Sequence, residues 1–205
     1  MIIKQARDVA QQWVIEEGTR IPGFLGAFLT GSTTLLHHDD VLSPSSDLDV
    51  IVVLADPPPM KLGKFMYRDV LLEVSYVSDN DLPPSDQLLA GEQAGSFKTA
   101  IILSDSSGRL CKLQALVSKD FAKRKWVRKR CEYTRDRVFA ALDSITESGL
   151  FHDQISAWLN GASLTTYVLL MAGLKNTTVR KRYLAARELL ADYDLLDFYE
   201  ALLEV

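Results

Sequence analysis

At 205 residues the chain is long enough for one large domain or two small ones. With 47% hydrophobic and 24% charged residues it has the make-up of a globular protein that buries a core, which excludes a disordered or fibrous chain. A formal net charge of −4 gives no overall field that would draw it to nucleic acid, although a local basic patch could still act alone.

The first residues, Met1-Ile2-Ile3-Lys4-Gln5, are interrupted by charge at once, unlike a signal peptide. Residues 3–17 read as an amphipathic helix with Ala6, Val9, Ala10, Trp13 and Val14 on one face, stopped by Gly18 and Pro22. Residues 24–30 are a short apolar run, read as a buried strand, and Gly31-Ser32 follows it directly. A second strand covers residues 47–54 and stops at Pro57-Pro58-Pro59. Residues 65–67 and 70–77 read as a hairpin turning at Arg68-Asp69. A short helix is expected at 81–90 and a further strand at 99–103, turned by Ser106-Ser107-Gly108. Beyond that the pattern is helical: a long helix over 109–145, broken or bent somewhere along it, then helices over 152–174, 179–190 and 195–203. The expected fold is therefore α+β, a mixed sheet with flanking helices in residues 1–108 followed by a C-terminal helical bundle in 109–205.

Cys111 and Cys131 belong to no Cys-x-x-Cys pair, and no histidine lies near either at ligand spacing, so both read as reduced thiols. The longest apolar run, around residues 167–172, is far short of the ~20 residues a membrane span needs. These features place the protein in the cytoplasm and away from membranes; they say nothing of its oligomeric state.

The chemistry lies in Ser46-Asp47-Leu48-Asp49-Val50-Ile51-Val52-Val53-Leu54. Alternate residues of a strand share a face, so Asp47 and Asp49 point one way while Leu48, Val50 and Val52 enter a core. Two carboxylates so close repel, and a cation, a basic side chain or solvent must offset them. Hard oxygen ligands suit Mg²⁺, which would keep positions open for phosphate oxygens. Glu73 sits alone in the apolar run Val70-Leu71-Leu72-Glu73-Val74-Ser75-Tyr76-Val77, where a carboxylate is costly without a partner. If that strand pairs beside the aspartates, three carboxylates converge, and Glu73 is then a general base on an attacking hydroxyl or a further metal ligand. Gly31-Ser32 supplies an anion-binding turn, since glycine lets backbone N–H groups approach a phosphate closely and serine adds a hydroxyl.

Gly31-Ser32, then Asp47-x-Asp49 opening an apolar strand, then Glu73 in a later strand, resembles the polymerase-beta-like nucleotidyltransferase superfamily. The sheet unit with a helical C-terminus looks like its aminoglycoside and lincosamide branch, and Leu72-Glu73-Val74-Ser75-Tyr76-Val77 is similar to the segment carrying the catalytic base in enzymes that adenylylate streptomycin-like drugs. The motif resemblance spans residues 24–78. It implies an enzyme in which Asp47, Asp49 and Glu73 hold Mg²⁺, Gly31 and Ser32 hold the triphosphate of ATP or another nucleoside triphosphate, and AMP passes to a hydroxyl of a small-molecule acceptor. One departure is the fourteen residues between Ser32 and Asp47, slightly more than the family has; with His37-His38-Asp39-Asp40 they are expected to lengthen the loop over the site.

Two rival readings stay open: a nucleotidyltransferase that modifies protein or tRNA, and a non-catalytic nucleotide-binding module. The basic run from Lys119 to Arg137 keeps nucleic acid possible but not favoured, because its charges surround the helix instead of forming one stripe. Arg180-Lys181-Arg182 after Asn176-Thr177-Thr178 reads as a capped helix start. Lys98 and Arg109 flank the 99–103 strand and are candidate triphosphate contacts whose default is solvent. His37 and His38 are adjacent, project apart and do not suggest a shared metal.

Overall fold

A computed structural model describes residues 1–147, 149–175, 179 and 181–204. The expected helix start at 176–178 and 180 lies outside the described residues; the helix that follows opens at Arg182. The chain is an α+β protein whose elements are α1 (Ile3–Glu16), β1 (Phe24–Thr30), β2 (Leu48–Leu54), β3 (Gly63–Tyr67), β4 (Val70–Ser78), α2 (Ser85–Ala90), α3 (Gln93–Lys98), β5 (Ile101–Asp105), α4 (Arg109–Asp120), α5 (Arg124–Glu147), α6 (Phe151–Ala172), α7 (Arg182–Asp192) and α8 (Asp197–Leu203).

The strands form one mixed sheet in the order β3-β4-β2-β1-β5. β2 and β4 run parallel, and the other neighbours are antiparallel. α1 lies on one face, where Ala6, Ala10, Trp13 and Val14 join Ala27, Leu29, Leu48, Val50, Val52, Leu54, Val70, Leu72 and Val74 in the core. Burying each Val or Leu there contributes about 1.5–3 kcal/mol, which fixes the register. A slip of one residue in β2 or β4 would send Asp49 and Glu73 into that core.

The β3–β4 hairpin turns on Arg68 and Asp69, with φ of +47° and +65°. Positive φ at both positions is the two-residue turn that matches strand twist, although Arg-Asp replaces the usual Asn-Gly. Arg68 offsets the strain by donating to both oxygens of Glu16, at 2.8 and 2.9 Å, which ties the hairpin to the end of α1.

The long helix expected over 109–145, broken or bent along its length, is broken into α4 and α5, which part at Phe121, Ala122 and Lys123. Arg130, 2% exposed, accounts for the break: its guanidinium donates to the Phe121 carbonyl at 2.8 Å and to the Leu89 carbonyl at 2.9 Å. Those are carbonyls at or beyond helix ends, which need donors when buried.

By their internal contacts the residues form two compact units, Met1–Ser85 with Ser96–Ser118, and Asp86–Gly95 with Lys119–Val205. Most of α4, up to Ser118, thus groups with the sheet. Leu110 lies over Gly26, where a Cβ would meet its methyl at 2.8 Å, and Gln114 donates to the carbonyls of Phe97 and Ala100. In the second unit α6 packs chiefly on α5: Thr134 donates to the Met171 sulfur at 3.3 Å, and Gly161 abuts Ala141. Among the described residues α6 is the one helix long and apolar enough to cross a membrane by length and composition, with a mean hydropathy of 1.2. A search for unbroken apolar runs misses it because Ser, Asn, Gly and Thr interrupt the run without adding charge.

Candidate active site

Gly31 closes β1 with φ of +78°. A side chain there would be strained, and its Cβ would overlap the carboxylate of Asp49. After Gly31 the chain makes one 3₁₀ turn, Ser32–Leu35. The Thr34 N–H and hydroxyl both donate to the Gly31 carbonyl, at 3.3 and 2.8 Å. Any anion contact here therefore comes from a tight turn, without the dipole of a long helix.

Asp47 is the residue before β2, and Asp49 is the second residue of that strand. Asp49 lies opposite Thr30 of β1 on one side and Glu73 of β4 on the other. Leu48, Val50, Leu72 and Val74 enter the core on the α1 side, so Asp49 and Glu73 share the other face. One carboxylate oxygen from each of Asp47, Asp49 and Glu73 comes within 4.8 Å of the others.

Sequence reasoning missed the groups that neutralise this cluster. Lys64 of β3 stands opposite Glu73; its ammonium pairs with Asp47 and lies 3.2 Å from Glu73 Oε2. Lys61 lies 3.1 Å from Glu73 Oε1. Register counting would have found Lys64: a turn at 68–69 pairs 67 with 70 and hence 64 with 73. The hydrogen bond from Lys64 holds the Asp47 carboxyl below its usual pKa, and the same bond raises that of Lys64.

Asp49 makes no hydrogen bond or ion pair among the described residues. Burial, then the charges of Asp47 and Glu73, push its pKa up to about 6. Two like charges 4 Å apart cost about 4 kcal/mol at an effective dielectric of 20, so the cluster favours a further cation. The donor set fits a hard divalent ion: three convergent carboxylates, oxygen ligands only, and more acid than the two lysines offset.

A second missed residue is Arg7 of α1. It donates to the carbonyls of Thr33, at 2.6 Å, and Leu36, at 3.0 Å, and so clamps the turn that follows Ser32. No local pattern announces it, since the partners lie 26 and 29 residues away. The longer segment after Ser32 is fastened to the start of α1: the carbonyls of Asp40 and His38 accept from the N–H groups of Ile3 and Lys4, at 2.8 and 3.0 Å. Asp40 also accepts the N–H of His37 at 2.7 Å, a local turn.

The basic run is largely engaged within its own unit. Lys123 pairs with Asp120, Arg128 with Glu132, Arg135 with Asp136 and Arg137 with Glu92, while Lys125 and Lys129 lie over the Trp126 ring. Arg109 pairs with Asp79.

No protein-family model and no curated protein matches the sequence. Among solved structures the chain is similar to a nucleotidyltransferase-like protein from Exiguobacterium sibiricum 255-15, at 13% identity and a TM-score of 0.44. The alignment covers 97% of this chain and 66% of that one, so this chain spans just under two thirds of its neighbour's length.

Proposed function

We propose that the protein is a Mg²⁺-dependent nucleotidyltransferase that moves AMP from ATP to a hydroxyl of a small-molecule acceptor of the aminoglycoside kind. The observation that carries the reading is the convergence of Asp47, Asp49 and Glu73 on one sheet face, with the backbone of Gly31 against Asp49. In this reading the three carboxylates hold the metal, which when bound supplies charge stabilisation to the phosphates. The turn at Gly31 and Ser32 receives the triphosphate, and Arg7 keeps that turn in place from behind. Glu73 either completes the ligand set or takes the proton of the acceptor hydroxyl; pyrophosphate leaves. The engaged charges of α5 count against a nucleic-acid acceptor. A cytoplasmic setting goes with this function, since nucleoside triphosphates are plentiful there.

Asp49→Asn tests it, because it keeps the size of the side chain and removes one ligand charge. Pyrophosphate release is expected to fall roughly 10²-fold or more. The melting temperature, measured on the same preparation without metal, should hold or rise as repulsion is relieved. Unchanged turnover in a destabilised variant would make Asp49 a structural residue and overturn the reading.

A further inference from the structure

We propose that Lys64 is a built-in, displaceable counter-ion of the acidic cluster, holding the place of the metal between Asp47 and Glu73 and setting how readily bare metal enters. The inference rests on the reading above. Its support is geometric. Lys64 bridges Asp47 and Glu73, and with Lys61 on the other oxygen of Glu73 both oxygens of that carboxylate are engaged. β3 is an edge strand of the sheet, and the Lys64 side chain is 50% exposed, so the ammonium has open solvent to move into.

A divalent ion and an ammonium compete for these oxygens. Each lone pair directed at Lys64 is lost to the metal, and the two cations repel at close range. Metal entry therefore requires Lys64 to swing away, and the cost of that exchange weakens binding of the free ion. The arrangement also stabilises the empty site, since Lys64 offsets the charges of Asp47 and Glu73 beside Asp49. Lys61, which touches Glu73 alone and is 61% exposed, is the lesser partner.

The experiment titrates Mg²⁺ and Mn²⁺, without nucleotide, into wild type, Lys64→Met, Lys64→Arg, Lys61→Met and Asp49→Asn by calorimetry, with thermal melting in chelator alongside. Lys64→Met keeps the stem and removes the ammonium. It should bind bare metal roughly tenfold more tightly than wild type, as expected for losing one repelling charge at short range in a solvent-exposed site. In chelator it should melt below wild type. Lys64→Arg should stay near wild type in both measurements, and Lys61→Met should shift less than Lys64→Met. Equal or weaker metal binding by Lys64→Met, in a protein whose wild type binds metal and whose Asp49→Asn variant does not, overturns the role of Lys64 and leaves the metal site standing. Absence of metal binding in both wild type and Lys64→Met would overturn the metal site and the inference together.

Discussion

The two compact units use their apolar residues differently. In the sheet unit, Leu48, Val50, Val52, Val53 and Leu54 of β2 are all at most 1% exposed, and the charged residue among them faces the candidate site. In the helical unit, α6 is the most apolar long helix, yet only 28% of its apolar window is buried, and Phe151, Trp158 and Leu159 are 76%, 47% and 53% exposed. Composition is therefore a poor guide to burial. A strand in the middle of a sheet has its two edges paired, and alternation sends Leu48, Val50, Val52 and Leu54 to the α1 face while Val53 is buried on the other. A helix in an open bundle meets its neighbours along a stripe and leaves the rest of its surface to solvent. The carboxylates stand on the more fully buried sheet.

The largest expected contrast is in stability. Leu72→Ala removes a fully buried side chain between Leu48 and Phe65 and should cost about 2–5 kcal/mol, read by denaturant unfolding. A cost below about 1 kcal/mol would mean that the sheet core is far looser than its burial implies. Gly31→Ala sharpens the comparison at the site. Positive φ costs a non-glycine residue about 1–3 kcal/mol, and the added methyl also displaces the Asp49 carboxylate. Both the melting temperature and pyrophosphate release should fall. Loss of stability with full activity would remove Gly31 from the site.

A smaller effect tests the charge cluster through pH. Asp49 titrates near 6 in the folded protein and nearer 4 when unfolded, so the native state binds its proton more tightly. Its stabilising effect is present at low pH and is lost as pH rises through about 6. Asp49→Asn does not titrate. In chelator, the melting advantage of Asp49→Asn over wild type should therefore grow between pH 5 and pH 8, and scanning calorimetry would expose a flat difference. The smallest effect belongs to the helical unit: Phe151→Ser at the exposed start of α6 should change stability by no more than about 0.5 kcal/mol. A large loss would reveal that this apolar surface is covered in solution.

Much of the sheet unit follows from local pattern. The run 24–30 is β1, the acids at 47 and 49 straddle the start of β2, and the Arg68-Asp69 turn joins β3 to β4. Period-two alternation and turn chemistry act over a few residues, so a sequence displays them openly. It also determined that Asp49 and Glu73 could not enter the core. Only tertiary structure decided that β4 runs parallel beside β2, with Glu73 level with Asp49. The same holds for the clamp of Arg7 on the turn after Ser32, and for the guanidinium of Arg130 satisfying carbonyls where α4 ends. Arg7 reaches 26 residues along the chain to Thr33, and Arg130 spans nine residues to Phe121 and 41 to Leu89, beyond the few residues over which local pattern acts; their free energy comes from pairing polar groups that lack a partner in their own element. The break expected somewhere within 109–145 is likewise placed by tertiary contacts: helical periodicity continues through Phe121, and a buried arginine from the next helix takes the carbonyl there.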